Sequence, residues 1–396
     1  MTTIVSVVGL GYVGLPLAMS AAKAGYQVHG IEIDQGKLNQ ILSGKSPIED
    51  VSDLEIREVL GENLSVGSDF SVIKNSSVVV ICVPTPLSAD RKPDLSFLES
   101  AVKSLAPHLN DSSLVILEST VQPGTTRNVL AALIVKHSRH SIETLQLAYS
   151  PERIDPLNKQ WNLKNTPKII AGLTSESLVK ATNFYSKFVD QTINCESLEV
   201  AELAKLLENS FRYVNISFIN EFSRLCRSLG VEVNHVINAA ATKPYGFIPF
   251  YPGVGVGGHC IPVDPLYLSD TALKVGAQTR FIDLADEINS QMSSFFVKLA
   301  EDKIGKLLGK LILVVGVSYK TNVSDVRETP VEGLILGLRS KGAIVFWHDD
   351  LVSEWKGETS SPLDQKYDLA IIATPHDYLD LQKLGKIPVI NTRSST

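Results

Sequence analysis

Cysteine is scarce in this chain: 396 residues hold four, Cys82, Cys195, Cys226 and Cys260, and no two share a CxxC spacing. That speaks against a disulfide framework or a zinc knuckle. No metal is expected, and a reducing cytoplasm is the setting that fits. Positive charge is not in excess either. Lys and Arg number 37 against 43 Asp and Glu, a formal net charge of -6, with both signs mixed along the length. There is no basic stripe for a phosphate backbone, which argues against nucleic acid as a partner but leaves a single anionic ligand open. No apolar run reaches the length of a membrane span, so no membrane is expected as a partner. The uncharged opening MTTIVSVVGLGYVGLPLAMSAA lacks the basic leader of a secretory signal, and its glycines are spaced for another purpose. Low-complexity segments and short tandem repeats are missing too. What the chain does have is 44% hydrophobic residues, enough for substantial cores in two or three domains.

The apolar pattern begins as strand, helix, strand over residues 4–9, 16–24 and 27–33, a βαβ opening. Further buried strands are expected at 78–83, 113–118 and 145–150, making residues 1–195 one doubly wound domain. From 198 to 229 the period changes: Leu203, Leu207, Phe211, Val214, Phe218, Phe222 and Leu225 recur at helical spacing. A second helix is expected over 281–304. The two apolar faces suit either a subunit interface or burial within the monomer. Strand signals return at LILVVGV (311–317), AIVFWHD (343–349), DLAIIAT (368–374) and PVIN (388–391), with a helix over 330–341. The expected fold is α/β, with two Rossmann-like doubly wound domains, 1–195 and 305–396. A long central helix and a helical dimerisation region over 196–304 join them.

GLGYVG places Gly9, Gly11 and Gly14, with Tyr12 and Val13 between them, in the G-x-G-x-x-G fingerprint at a strand-to-helix turn. Such a turn brings a pyrophosphate against backbone N–H groups and the positive end of a helix. The second strand ends in Glu32, with Asp34 close behind. A carboxylate there accepts a ribose 2′-hydroxyl and repels a 2′-phosphate, so the expected cofactor is NAD; for Asp34 a solvated loop position is an equal alternative. Thr85 in VPTP and Thr120 in STVQPGTT follow strands at the carboxyl ends where open sheets bind ligands, and read alone each is a turn residue before it is a contact. Glu152 and Arg153 in SPERI read alone as a surface ion pair. Lys205 and Asn209 stand one turn apart on the central helix, in a polar row that spacing alone leaves as a solvated face. In GVGGHCIPVDP, glycines including Gly257 let a substrate approach the backbone beside Cys260. A thiol with a pKa of about 8.5 leaves a few per cent nucleophilic thiolate at neutral pH. His259 is adjacent to it and Asp264 four residues on; a small buried cysteine is the competing reading. In YKTNVSDVRETP, Lys320 and Arg327 are two cations at a strand-to-helix junction, suited to a diphosphate or simply to solvent.

Taken in order, GLGYVGLPLA, CVPTPL, ESTVQPGTT, SPERIDP, ELAKLLENSFRYVNISFINE, GVGGHCIPVDP and YKTNVSDVRETP resemble the UDP-sugar 6-dehydrogenases over essentially the whole chain. The resemblance implies four-electron, NAD-dependent oxidation of a nucleotide sugar to a uronic acid, for surface polysaccharide or glycan precursor synthesis, by a cytoplasmic homodimer. It implies Cys260 as nucleophile, Lys205 and Asn209 as oxyanion stabilisers, Glu152 and Asp264 as groups handling water and protons, and Thr120 as a water-holding hydroxyl. It puts Lys320 on the substrate diphosphate and Arg327 on the cofactor side of the domain cleft. Tyr12, Val13, Thr85 and Thr120 join the cofactor set. Glu152, Arg153, Lys205, Asn209, Tyr251, Gly257 and His259 join the substrate set.

GGHCIPVDP with ATKPYGFIPFYPG (241–253) is most similar to the branch acting on UDP-N-acetylhexosamines, UDP-N-acetylglucosamine above all. His259 marks that branch, since UDP-glucose enzymes typically lack it. UDP-N-acetylmannosamine, UDP-N-acetylgalactosamine and UDP-glucose stand as alternatives. Outside this activity, the competing readings are a two-electron β-hydroxyacid-type dehydrogenase and a non-catalytic sensor of NAD or sugar nucleotide. The chain departs from the family pattern at Glu32 and Asn322, where aspartate is frequent. It departs also at Pro156, where the UDP-glucose branch has a second glutamate after SPE, and at Pro244, where UDP-glucose enzymes often carry an arginine that reaches into the partner's site.

Overall fold

The protein is described from a computed structural model over residues 3–155, 158, 160–258 and 260–395. Its packing divides it into two units, residues 1–208 with 266–275 and residues 209–265 with 276–396.

The first unit is built on eight strands: β1 (Ile4–Val8), β2 (Gln27–Ile31), β3 (Leu64–Gly67), β4 (Val78–Ile81), β5 (Leu114–Leu117), β6 (Gln146–Tyr149), β7 (Lys168–Gly172) and β8 (Thr192–Asn194). Their order is β3-β2-β1-β4-β5-β6-β7-β8, with every neighbouring pair parallel except β6 and β7. Central strands of a parallel sheet are covered on both faces, which is why VVVI and LVIL are continuous apolar runs. Successive residues alternate between two cores. Val78 and Val80 pack with Leu15 and Ala18, while Val79 and Ile81 pack with Leu98 and Val102.

The second unit carries β9 (Leu311–Val315), β10 (Ile344–His348), a short antiparallel hairpin of β11 (Glu354–Trp355) and β12 (Glu358–Thr359), β13 (Leu369–Ile372) and β14 (Val389–Asn391). Its main sheet is parallel in the order β10-β9-β13-β14. Helices Arg280–Ile304 and Val331–Ser340 cover one face, with Met292, Phe296, Leu334 and Leu338 packed on Ile312 and Val314.

The expected long helix runs unbroken over Leu198–Leu229. Its buried line, however, is Leu206, Tyr213, Ile219 and Cys226; of the stripe read from the sequence, Leu207, Phe218 and Leu225 are each more than half exposed, while Phe222 packs on Ile219 and Cys226. Near its start, Glu202 is fully buried and ties the helix to the PGTT turn. Its carboxylate accepts the N–H groups of Gly124 (2.6 Å) and Thr126 (2.9 Å) and the Thr126 hydroxyl (2.6 Å).

Burial pushes Glu202 up to about 7 from its ordinary 4.5, against the pull of those donors. A carboxyl raised by folding favours the folded state while it is protonated. Its contribution is complete below the unfolded value and is lost as pH rises through the folded one. The unfolding free energy of the wild type relative to Glu202→Gln should therefore fall by about 3 kcal/mol between about pH 4 and pH 8. Urea titrations of both proteins across that range measure the difference, and a constant difference would refute the buried protonated carboxyl.

Candidate active site

The turn after β1 fits a dinucleotide. A Cβ at Gly14 would lie 1.9 Å from the Gly9 carbonyl oxygen, so only glycine lets the helix Gly14–Lys23 pack this closely, whereas a Cβ at Gly11 would meet nothing within 4 Å. Open space thus lies where a pyrophosphate would approach. No side chain caps this helix and no acidic residue occupies its first turn, so its positive end is left for an anion. Tyr12 and Val13 pack against the core beside it. Glu32 is buried at the end of β2 and accepts N–H bonds from Leu10 (2.9 Å) and Asp34 (2.9 Å). Each carboxylate oxygen keeps a second lone pair for a ribose hydroxyl. Asp34 has a role in the local structure. Its side chain accepts from the Lys37 N–H and caps the next helix, Gln35–Leu42, which holds its carboxyl below the usual range.

At the carboxyl ends of β4 and β5, the Thr85 hydroxyl donates to the carbonyl of Thr120 (2.8 Å), and the Tyr267 hydroxyl donates to the carbonyl of Thr85 (2.8 Å). Thr85 and Thr120 are thereby brought together. After β6, Glu152 folds back so that one oxygen accepts the N–H groups of Arg153 and Ile154, both at 2.6 Å. Its other oxygen lies 3.6 Å from the Lys168 ammonium. Arg153 has three nitrogens already engaged, two on the Glu208 carboxylate and one on the Pro167 carbonyl, and so braces this loop against the central helix. Lys205 is buried, and no hydrogen bond or ion pair reaches its ammonium among the described residues.

Beneath Glu152 lies a group of charges centred on Lys168, which no sequence motif signals. Lys168 on β7 is buried and pairs with Glu118 (2.8 Å), and the Tyr185 hydroxyl donates to the other Glu118 oxygen. Burial raises Glu118 above the ordinary carboxylate range, opposed by the Lys168 ammonium. For Lys168, burial works downward, but the attraction of Glu118 and Glu152 outweighs it and the amine sits above its usual value.

In the second unit, Cys260 is exposed at the turn that opens the helix Asp264–Lys274, its carbonyl accepting the N–H groups of Val263 (3.1 Å) and Asp264 (2.9 Å). The buried Asp264 carboxylate accepts the side-chain amide of Asn209, so these two predicted residues meet. The glycines before Cys260 lie on the segment that carries Lys320 and Arg327. A Cβ at Gly257 would strike Pro330, Tyr319 and the Glu328 carbonyl, and Gly258 packs on the Tyr319 ring. The Arg327 carbonyl accepts the Gly258 N–H (3.3 Å), while its guanidinium grips Asp325 in a fork. Tyr251 is half exposed and donates its hydroxyl to Asn238 (3.3 Å). His259 and Pro156 lie outside the described residues. Among those residues no His, Cys, Asp or Glu cluster could hold a metal ion, and no helix is long and apolar enough to cross a membrane.

Removing Lys168 would leave two carboxylates facing each other with no cation between them. Lys168→Met is expected to cost about 3–5 kcal/mol of unfolding free energy, the usual penalty for breaking a buried pair from one side. Urea unfolding at neutral pH measures it, and a cost under about 1 kcal/mol would mean that the pair is not buried as described.

Three family models match the chain in order. They describe the UDP-glucose/GDP-mannose dehydrogenase family: its NAD-binding domain over residues 3–189, its central domain over 199–291 and its UDP-binding domain over 313–393. A UDP-N-acetyl-D-mannosamine dehydrogenase of Methanococcus maripaludis is 33% identical, covering 98% of this chain and 89% of the relative. A UDP-N-acetyl-D-glucosamine 6-dehydrogenase of Pseudomonas aeruginosa is 32% identical, covering 96% of this chain and 94% of the relative. Among solved structures, a UDP-D-ManNAc dehydrogenase of Pyrococcus horikoshii superposes with a TM-score of 0.92 at 33% identity, covering 100% of this chain and 96% of that one.

Proposed function

The chain belongs to the UDP-glucose/GDP-mannose dehydrogenase family, NAD-dependent oxidoreductases of nucleotide sugars, and on that premise we propose that it oxidises the C6 alcohol of a UDP-N-acetylhexosamine to the carboxylate. The observation that supports a covalent route is the exposed Cys260 in its glycine-rich turn, with the Asn209–Asp264 pair formed in the same unit. NAD held at the Gly9–Gly14 turn would supply the hydride acceptor for both oxidations. In the first, the C6 hydroxyl loses its proton by way of the groups assigned to it, Thr120 as a water-holding hydroxyl and Glu152 and Asp264 as groups handling water and protons, and the alcohol becomes an aldehyde. The aldehyde carbon has no good hydride to give until it is tetrahedral. The Cys260 thiolate adds to it, forming the C–S bond of a thiohemiacetal, and loss of the second hydride leaves a thioester. Water activated by Glu152 or Asp264 then breaks the C–S bond, releasing the carboxylate and restoring the thiol. The balance is one sugar, two NAD and one water to one uronate, two NADH and three protons.

Lys205 and Asn209 stabilise the negative oxygen as it forms. An ammonium with no acceptor among the described residues suits that role. Lys205→Met is expected to lower kcat roughly 10²- to 10³-fold, as loss of a well-placed oxyanion donor does. Lys320 is assigned to the substrate diphosphate and Arg327 to the cofactor. The outward stripe of Leu207, Phe218 and Leu225 supports a homodimer formed through the central helix.

UDP-N-acetylglucosamine is the first candidate substrate. UDP-N-acetylmannosamine is the second, since relatives of that name resemble the chain over nearly its full length. The test is NADH release from these two sugars, UDP-N-acetylgalactosamine and UDP-glucose, with the ratio of NADH to sugar consumed. Two NADH per sugar are expected and one would overturn the four-electron reading. Cys260→Ser should form no thioester, and four-electron turnover by that variant would remove Cys260 from the mechanism.

A further inference from the structure

We infer that Asn322, His376 and Asp377 form a clamp that positions Lys320 for the diphosphate of the nucleotide sugar; the inference rests on the reading of Lys320 given above. The clamp lies at the carboxyl ends of the adjacent parallel strands β9 and β13, where open sheets present their ligand-binding loops. Asn322 has a left-handed backbone, φ 65, which asparagine tolerates better than most residues. Three hydrogen bonds fix it there. Its N–H donates to His376 Nδ1 (2.9 Å), its side-chain amide donates to an Asp377 carboxylate oxygen (2.7 Å), and its side-chain carbonyl accepts the Asp377 N–H (3.0 Å).

The His376 ring is almost fully buried and cannot turn freely, because its Nε2 lies 2.9 Å from the buried carboxylate of Asp349. A ring nitrogen that takes up a backbone N–H must be the acceptor, so the ring proton sits on Nε2 and points at Asp349. Asp349 is itself pinned by the N–H groups of Val317 and Leu351, both at 2.9 Å. On the other side of Lys320, the Ser318 hydroxyl donates to the Lys320 carbonyl (3.0 Å). The lysine backbone is therefore held from both sides. An ammonium at the end of a flexible four-carbon stem is placed well only where its own backbone is fixed.

The pairing of Asn322 with Asp377 also requires an amide and a carboxylate. Aspartate at 322 would set two carboxylates at hydrogen-bond distance with no donor between them, and exchanging the two residue types would restore one donor and one acceptor.

The experiment is calorimetric titration with UDP, using wild type, Lys320→Ala, Asn322→Asp, Asp377→Asn and the Asn322→Asp/Asp377→Asn double variant. Asn322→Asp should weaken UDP roughly 10- to 100-fold, the range of a lost hydrogen bond to a charged group. The double variant should return to within about threefold of wild type. In turnover, KM for the nucleotide sugar should rise with kcat and NAD affinity nearly unchanged, a split that general destabilisation would not produce. Should Asn322→Asp fail to fold, His376 decides: Asn in its place keeps an acceptor for the Asn322 N–H and should retain UDP, while Gln keeps only the bond to Asp349 and should lose it. If Lys320→Ala leaves UDP affinity unchanged, the diphosphate reading fails and the clamp with it. If Lys320→Ala weakens UDP but Asn322→Asp does not, or the double variant shows no recovery, the clamp alone is overturned.

Discussion

In each of the two main sheets a carboxylate at the end of one strand takes up the backbone N–H left over where its neighbour turns out of the sheet. Glu32, after β2, holds the N–H of Leu10 just past Gly9; Asp349, after β10, holds the N–H of Val317 just past Gly316. The surroundings repeat as well. Gly9 donates to the Ile31 carbonyl and Gly316 to the His348 carbonyl, both at 2.8 Å, and both glycines have positive φ, 90 and 84. A Cβ at either would collide with a carbonyl of the strand on the far side, that of Cys82 or of Thr374. A parallel sheet ends in unpaired N–H groups that water or a partner must satisfy. A carboxylate acceptor at this corner fixes the path of the loop that leaves it, and the candidate cofactor and diphosphate loops both leave from such corners.

The same device carries different loads in the two units. At Glu32 both oxygens take backbone donors and the carboxylate still faces the turn that would hold a ribose. Asp349 is engaged inward. Burial works to raise its pKa, but His376 and the surrounding N–H groups outweigh burial and hold it below the usual range. An anion pinned so firmly is scaffolding for its neighbours rather than a ligand group.

Much of this architecture was legible in the sequence because parallel strands buried on both faces leave continuous apolar runs, such as VVVI, LVIL and LILVV. The glycine spacing and the acidic residue after β2 were legible for the same kind of reason, since few residue types satisfy a turn that tight. Strands β7 and β8 were not. KIIAG begins with a lysine that periodicity assigns to solvent, yet Lys168 is buried because Glu118 and Glu152 meet it from separate segments, 50 and 16 residues away in sequence. The central stripe was read correctly as apolar, but a helical period does not say whether such a face meets its own chain or another. His376 likewise carried no local signal. Its importance comes from Asn322, 54 positions earlier, and no short motif encodes that distance.

The packing around Cys260 gives the second unit a further mechanical property. Gly257 and Gly258 lie against Tyr319, Glu328 and Pro330 so closely that a single added carbon would overlap them. Close-packed surfaces transmit small displacements because there is no void to absorb them. Tyr319 is the residue before Lys320, and its own N–H is tied to the Asp325 carbonyl at 3.0 Å. A shift of the lysine segment must therefore either strain that bond or move the backbone of the cysteine loop. The nucleophile proposed at Cys260 would benefit from such a connection, because misplacement of a reacting group by about 1 Å can cost on the order of 10²-fold in rate. The glycines beside Cys260 thus do more than leave room for a substrate: they let the cysteine loop rest directly on the segment proposed to bind the other end of the same molecule.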